Sequence, residues 1–518
     1  MESAIKFSAA NAPRVTSSAP ARQIRGSSLL LAGRMVSAAI GFASQLLIVR
    51  HLSKTSYGAF EYALSIVLMG EMVVTLGLDR AISRFLPIYH ERRDFDNLFG
   101  TIILAVSSIL SLGVALVLLV WAFQGSIVRD MVDDQQVVTL LLILVALSPI
   151  QALDGVVSAM FAIFVGPRSI FFRKHLLAPG MKLAVVVLLV LHGNGVSFLA
   201  GGYVAAAALG LVIYIAVLFR ALMRQGLFRH FRLKTTTLPR REILLFTIPL
   251  LTSDLMHIFM NSMDAFFLKH FHSTVEVAAF RAVQPAARLN QLVLASSSLM
   301  FLPLASRLFA LNDREGISKL YWQTTAWIAV VSFPLFVITF SFARPVTVLL
   351  YGKEYEESAA VLAMLSLGYY FNSALGLNGY TLTALGKMRF VVAANVVSMA
   401  VSLGMNLLLI PRYGAFGAAV GNCGAVVARN IIFQTGLRRS TEINLLEWRY
   451  LKIYLVIGLV ALGLLVLQSS LSLRIHFSLA LAALGTFVVF RLNRKALGVG
   501  KIFPELLRIP LARHLFRE

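Results

Sequence analysis

The residues with chemical potential lie in two matching stripes. In "IPLLTSDLMHIFMNSMDAFFL" (248–268), Asp254, His257, Asn261 and Asp264 interrupt an otherwise apolar run. Their spacing of i, i+3, i+7 and i+10 puts all four on one face of a helix. Arg281, Gln284, Arg288 and Gln291 repeat that spacing a short distance on. Carboxylates and an imidazole can pair with cations or carry a proton, because their titration moves with burial and partners. Guanidinium groups present forked donors that match carboxylate or phosphate oxygens. Charge in an apolar setting costs several kcal/mol, so both stripes must face protein or water.

The elements that would position these stripes are membrane helices. Hydrophobic residues make up 58% of the 518 and charged residues only 14%, against about 25% charge in a soluble protein. Mean hydropathy is +0.80, and runs of about 20 apolar residues, the length that spans a bilayer, recur throughout. The expected fold is an all-α polytopic membrane protein with about fourteen helices. They are placed at about 28–49, 58–79, 98–123, 137–165, 170–191, 197–219, 242–268, 277–304, 321–343, 358–384, 389–411, 414–435, 450–468 and 472–490.

A net charge of +23 would suit nucleic acid, but its distribution points to the membrane. With the N-terminus inside, roughly 34 Lys and Arg fall in cytoplasmic segments, about 8 outside and about 5 within the bilayer. The basic excess therefore sets topology and touches anionic headgroups. Nucleic acid is not an expected partner. Both termini are expected in the cytoplasm, with residues 1–26 a polar tail, 221–241 a basic loop and 491–518 a basic amphipathic tail broken by Pro504 and Pro510. No cleaved signal peptide is read.

The chain matches itself weakly at an offset of about 220 residues. That shift sets "YGAFEYALS" on "VAAFRAVQP", Phe60 on Phe280, Gly166 on Gly386 and Gly201 on Gly421. The interval holds an even number of helices, so both copies face the same way, a parallel repeat about the membrane normal. One lobe covers 27–220 and the other 242–436; 437–490 adds two helices outside the repeat. The same offset places Glu61 and Glu71 where the second lobe has Arg281 and Gln291, and Arg34 where it has Asp254.

Two readings of the intramembrane charges stand side by side. In one they pair within each lobe, Asp264 with Arg281, Asp254 with Arg288, Arg34 with Glu71 and Asp154 with Lys182, while Arg429 snorkels to a cytoplasmic edge. In the other they line a hydrated cavity. Arg34, Arg281 and Arg288, with Gln284 and Gln291, would then bind an anion. Asp254, His257, Asn261, Asp264, Glu61, Glu71, Asp154 and Lys182 would serve as ion-pair or coupling groups.

No catalytic apparatus is legible. Gly386-Lys387 is followed by Met388, not by the Ser or Thr of a phosphate-binding loop, and no H-E-x-x-H motif occurs. A single cysteine, Cys423, excludes a disulfide framework and any paired-cysteine metal or redox motif; it reads as a small packing residue. Neither a cofactor nor a metal is expected. Glu354, Glu356 and Glu357 lie in the longest external loop, 344–357, and read as solvated charge.

Three segments carry a family resemblance. "MNLLLIPRYGAFGAAVGN" (405–422), "HLSKTSYGAFEYALSI" (51–66) and "VLLYGKEYEESAAVLAMLSLGYY" (348–370) resemble polysaccharide transporters. These are O-antigen-type flippases of the multidrug/oligosaccharidyl-lipid/polysaccharide exporter superfamily, and the likeness extends over most of 28–435. It implies two six-helix bundles around a central cavity and a non-enzymatic flippase of the inner membrane. Such a protein moves a lipid-linked diphosphate oligosaccharide by alternating access, for exopolysaccharide, O-antigen or capsule synthesis. A polysaccharide polymerase and glycosyltransferases are the implied partners. The extra helix pair favours this branch over the multidrug/cation antiporters of the same fold, the runner-up. A membrane glycosyltransferase or polymerase is disfavoured, since no sizeable external domain is present.

Overall fold

The computed structural model describes residues 19–126, 134–165, 167–231, 236–441, 448–471 and 473–497. Side-chain surroundings are described for most of these, but not for 19–32 or 249–261.

The described residues are helical almost throughout. The first half comprises α1 (Ala19–His51), α2 (Lys54–Thr75), α3 (Leu78–Glu91), α4 (Phe95–Ala122), a single turn α5 (Gln124–Ser126), α6 (Gln135–Leu144), α7 (Leu147–Phe164), a short α8 (Pro167–Phe171), α9 (Ala178–His192) and α10 (Val196–Arg224). The second half comprises α11 (Arg240–Phe271), α12 (Thr274–Arg288), α13 (Leu292–Ala310), α14 (Arg314–Phe340), α15 (Ala343–Tyr351), α16 (Ser358–Leu375), α17 (Leu377–Ala384) and α18 (Met388–Thr441). Two further helices follow, α19 (Trp448–Leu471) and α20 (Ile475–Leu497).

Both lobes contain broken helices in the same order, as a repeat requires, although the breaks do not fall at residues 220 apart. In the first lobe α2 gives way to α3 at Leu76 and Gly77, both left-handed with φ of 48° and 68°. In the second, α12 gives way to α13 through a tight turn at Leu289–Gln291. The later pair α6–α7 breaks at Val145 and Ala146, and its counterpart α16–α17 breaks at Gly376. Phe60 and Phe280, matched by the offset, are both fully buried. Gly166 lies outside the described residues, so its match to Gly386 stays a sequence expectation.

Eleven stretches among the described residues are long and apolar enough to cross a bilayer; of the fourteen expected, 28–49 and 242–268 fall in helices whose side chains are partly outside the described residues. One of the eleven, Met388–Arg439, folds over at Gly414 (φ 53°, ψ −132°), just past Pro411. Two boundaries shift. Helix α1 starts at Ala19, inside the stretch read as a tail. The segment 344–357 is no open loop either: it holds α15 and a further turn at Lys353–Tyr355. Tyr351 and Tyr355 are buried there, which pushes both phenols up.

Packing is close where glycines allow it, as association in lipid requires. A Cβ on Gly58 would overlap the Thr274 carbonyl, so α2 and α12 cross almost backbone to backbone. Gly368 gives way to Cys423, which is buried and free, the packing role expected of it. Helices α19 and α20 lie against α14, outside the repeat. Trp322 stacks on Tyr450 at 5.7 Å, and Ser341 donates to the Ala461 carbonyl at 2.8 Å.

Candidate functional site

Three adjoining cavities lie between and beside the lobes. The first, about 510 Å³, is lined by Glu61, Ser65, Glu71, Asp79, Arg80, Arg281 and Arg288 among others. The second, also about 510 Å³, shares Glu61, Arg281 and Arg288 and adds Gln45, Lys174, Lys182 and Gln284. A third, about 590 Å³, reaches into the first lobe and shares Glu71, Asp79, Lys174 and Lys182. The shared linings make one continuous polar space, walled by helices that would otherwise belong in hydrocarbon.

Helix α12 supplies the cationic wall, and hydrogen bonds fix its side chains. Arg281 donates to the Ser65 hydroxyl of α2 and to the Gln284 amide oxygen, each at 3.1 Å. Arg288 Nε donates to the Tyr369 hydroxyl at 3.4 Å, and Gln284 reaches the same hydroxyl at 3.5 Å. Glu61 lines the cavity beside Arg281, which is the cation acting on it. Glu71 has Asp154, Lys182 and Asp79 as its charged neighbours.

The space is shut at one end, where α1 meets α2 and α11 meets α12. Gln45 donates to the buried Tyr57 hydroxyl at 2.9 Å and to the Arg281 carbonyl at 3.0 Å. Glu276 accepts from the Ala415 amide at 2.6 Å, tying α12 to the fold in α18. Arg50 crosses between lobes: its Nε donates to the Leu350 carbonyl at 2.7 Å and its Nη2 to that of Leu349. Lys54 lies over the Tyr355 ring, 5.0 Å from its centroid. The lining runs from Glu61 towards Arg80, so the cavity extends to the opposite end.

Several expected placements change. Asp154 pairs with Arg173, not with Lys182. Lys182 instead lies over the Tyr203 ring at 5.4 Å. Arg34 is exposed on α1, near His175 rather than Glu71, and lines none of these cavities. Asp264 does not front the space between lobes: it is buried to 1% exposure and accepts from Asn406 at 2.8 Å. Arg281 is still its strongest charged neighbour. Gln291 sits in the turn between α12 and α13, away from the lining. Arg429 donates to the Asn372 side chain at 3.0 Å instead of snorkelling. The side chains of Asp254, His257 and Asn261 lie outside the described residues.

The structure adds Lys174, which sequence reading passed over because cations near a helix end look like topology signals. A π-helical stretch, Phe172–Leu177, joins α8 to α9 and keeps the chain helical through this region. Such stretches often occur at functional sites. It sends Arg173 to Asp154 and Tyr214, and Lys174 to the junction of two cavities. Among the described residues, no group of His, Cys, Asp and Glu could hold a metal ion.

Two broken-helix lobes around a charged, one-ended cavity define a polytopic membrane protein of the multidrug/oligosaccharidyl-lipid/polysaccharide exporter fold. Residues 24–309 match the model of the polysaccharide biosynthesis protein family, and the chain belongs to that family. Residues 249–408 also match the MatE model. An uncharacterized membrane protein of Methanocaldococcus jannaschii is 20% identical over 416 residues, 77% of this chain and 80% of the relative. The capsular polysaccharide biosynthesis protein CapF of Staphylococcus aureus is 24% identical over 180 residues, 35% of this chain and 46% of CapF. Among solved structures, the lipid II flippase MurJ in an inward closed conformation superposes with a TM-score of 0.70 at 14% identity, covering 92% of this chain and all of that one. An inward-facing multidrug resistance MATE family transporter gives 0.64 at 15% identity, covering 79% and 95%.

Proposed function

We propose that this protein flips a lipid-linked diphosphate oligosaccharide across the inner membrane by alternating access, supplying exopolysaccharide, O-antigen or capsule. The observation that carries this reading is the placement of Arg281 and Arg288 together on the wall of a membrane-embedded cavity. A diphosphate needs forked cationic donors that hydrocarbon cannot offer. Lys174 and Lys182 provide further positive charge opposite. The polar side space of the first lobe leaves room for sugar hydroxyls. Family membership and the likeness to a lipid II flippase support the same reading.

Sidedness follows from the positive-inside pattern, which puts both termini in the cytoplasm and the sealed end outside. The conformation is then inward-facing, ready to load. Moving one charge through 100 mV yields about 2.3 kcal/mol, so a diphosphate with about two negative charges gains about 4–5 kcal/mol on leaving a negative interior. That bias suffices to drive export without a coupling ion. A polymerase and glycosyltransferases are the partners this role requires.

The test is the side of the membrane on which lipid-linked oligosaccharide accumulates in cells lacking the gene. Accumulation on the cytoplasmic face supports the proposal; normal distribution refutes it. The carboxylates Glu61, Glu71 and Asp79 in the lining favour one rival, a cation or drug antiporter. In that case deletion would sensitise cells to cationic drugs and leave polysaccharide export intact.

A further inference from the structure

A separate cavity of about 520 Å³ lies at the sealed end but away from the lobe interface, between α15 and the α19–α20 turn. Its lining includes Arg344, Val348 and Leu349 on one side and Gln468, Arg474 and His476 on the other. The crossing stretches end at Phe340 and Leu471 and resume at Ile475. The cavity therefore sits where hydrocarbon meets headgroups.

The turn that carries Arg474 is braced. Gln468, only 7% exposed, donates to the Leu473 carbonyl at 3.3 Å and accepts from the Ser478 hydroxyl at 3.2 Å. Arg344 is held by Glu356, to which its Nε donates at 2.6 Å. A guanidinium has five N–H donors, so one carboxylate leaves several for another anion. Between Lys452 and Arg491, Arg474 is the only residue with a permanent charge. It stands at the end of the molecule where topology does not call for cations. Beside it in the lining, Pro345, Val348, Leu349, Leu473 and Ile475 present an apolar wall, with Leu349 more than half exposed.

We propose that this cavity binds the phosphodiester headgroup of an anionic glycerophospholipid, with Arg474 and Arg344 on the phosphate and the acyl chains against that wall. Free phosphate shares the arginine contacts but gains nothing from the apolar surface. The site is distinct from the central cavity and does not depend on what is flipped.

The experiment is equilibrium binding of radiolabelled short-chain phosphatidylglycerol to the purified full-length protein, with phosphatidylcholine as the uncharged comparison. Saturable binding with an anionic preference is expected, falling about five-fold for each arginine lost, as for a basic residue near a charged membrane surface. Arg474→Gln and Arg344→Gln should reduce it, whereas Arg412→Gln, at an exposed arginine outside this cavity, should not. Excess inorganic phosphate should fail to displace the lipid; displacement would make this a free-anion site and overturn the proposal. Equal binding by wild type and both glutamine variants would overturn it too, as would an equal loss of binding in Arg412→Gln, which would reduce the effect to general charge attraction. If Arg474→Gln melts early, Arg474→Lys keeps the test: it should retain the anionic preference at wild-type stability, and loss of that preference refutes a charge-based site.

Discussion

Set side by side, the two lobes share a scaffold and differ in charge. Positions matched by the offset near the pseudo-axis meet each other, as equivalent residues do where they lie on a two-fold axis. In a true dimer Glu61 would face a second glutamate. Here it faces Arg281, with both groups on the cavity wall. Duplication supplied two crossing broken helices, and divergence left the acidic member of this pair on α2 and the basic one on α12. A like-charged pair at this depth would repel and strain the seal. An opposite pair satisfies the empty site and still leaves donors for a ligand.

The strongest test of that asymmetry is Arg281. Arg281→Ala strips Glu61 of its cation and removes a proposed phosphate donor, so transport should fall about a hundred-fold or more, the scale of breaking a buried pair. The charge swap Glu61→Arg with Arg281→Glu separates the two roles. It keeps the pair but moves the cation away from Gln284 and Arg288, so protein levels should recover while export, measured as surface polysaccharide, does not. Full export in the swapped protein would reduce the pair to a structural strut.

Much of this was legible in the sequence, and the failures have physical causes. Helical spacing located the stripe Arg281, Gln284 and Arg288, because a cationic face on an apolar helix has few places to go. The offset located the repeat, and broken helices recur in both lobes, though not at the residues the offset pairs. Depth matching found neighbours but not always the contact: it set Asp154 with Lys182, which lies near it, yet the π-helical stretch brings Arg173 into direct contact. Asp264 shows a second limit. Periodicity put it on a polar face, but Asp264 itself meets α18, where Asn406 donates to it. Spacing identifies a face without saying which neighbour covers it.

The lobes can also be pried apart where they touch most closely. Gly58→Leu places a branched chain against the Thr274 carbonyl, and overpacking of this kind typically costs about 1–3 kcal/mol. The sealed conformation should lose about ten-fold or more in population. Leu64, on the cavity wall, reports this when changed to cysteine, because Cys423 is buried against Gly368 and stays silent. Labelling of Leu64→Cys by an impermeant maleimide from outside should rise in the Gly58→Leu background. Unchanged labelling would mean that another contact holds the seal.

Arg288 tests the chemistry of the basic wall more finely. Lysine preserves the charge but cannot offer both a donor to Tyr369 and a fork to phosphate. Arg288→Lys should retain folding and lose about ten-fold in transport, with Arg288→Ala lower still, since a charged hydrogen bond contributes about 1.5–3 kcal/mol. Equal activity of the lysine variant and wild type would leave only a charge requirement.

The smallest effect belongs to Arg50, which joins the lobes through the exposed end of α15. Its guanidinium meets the last carbonyls of that helix, where the negative end of the helix dipole favours a cation. Water competes for an exposed group, so the contact contributes far less than the buried packing at Gly58. Arg50→Ala should raise labelling of Leu64→Cys by about two- to five-fold, the range of an exposed charged contact. Added salt should narrow the gap between variant and wild type, because screening already weakens the Arg50 contact. The Gly58→Leu effect is steric and should not respond to salt. If Arg50→Ala opens the cavity as widely as Gly58→Leu, the seal is held by surface charge and the close approach of α2 and α12 is incidental to it.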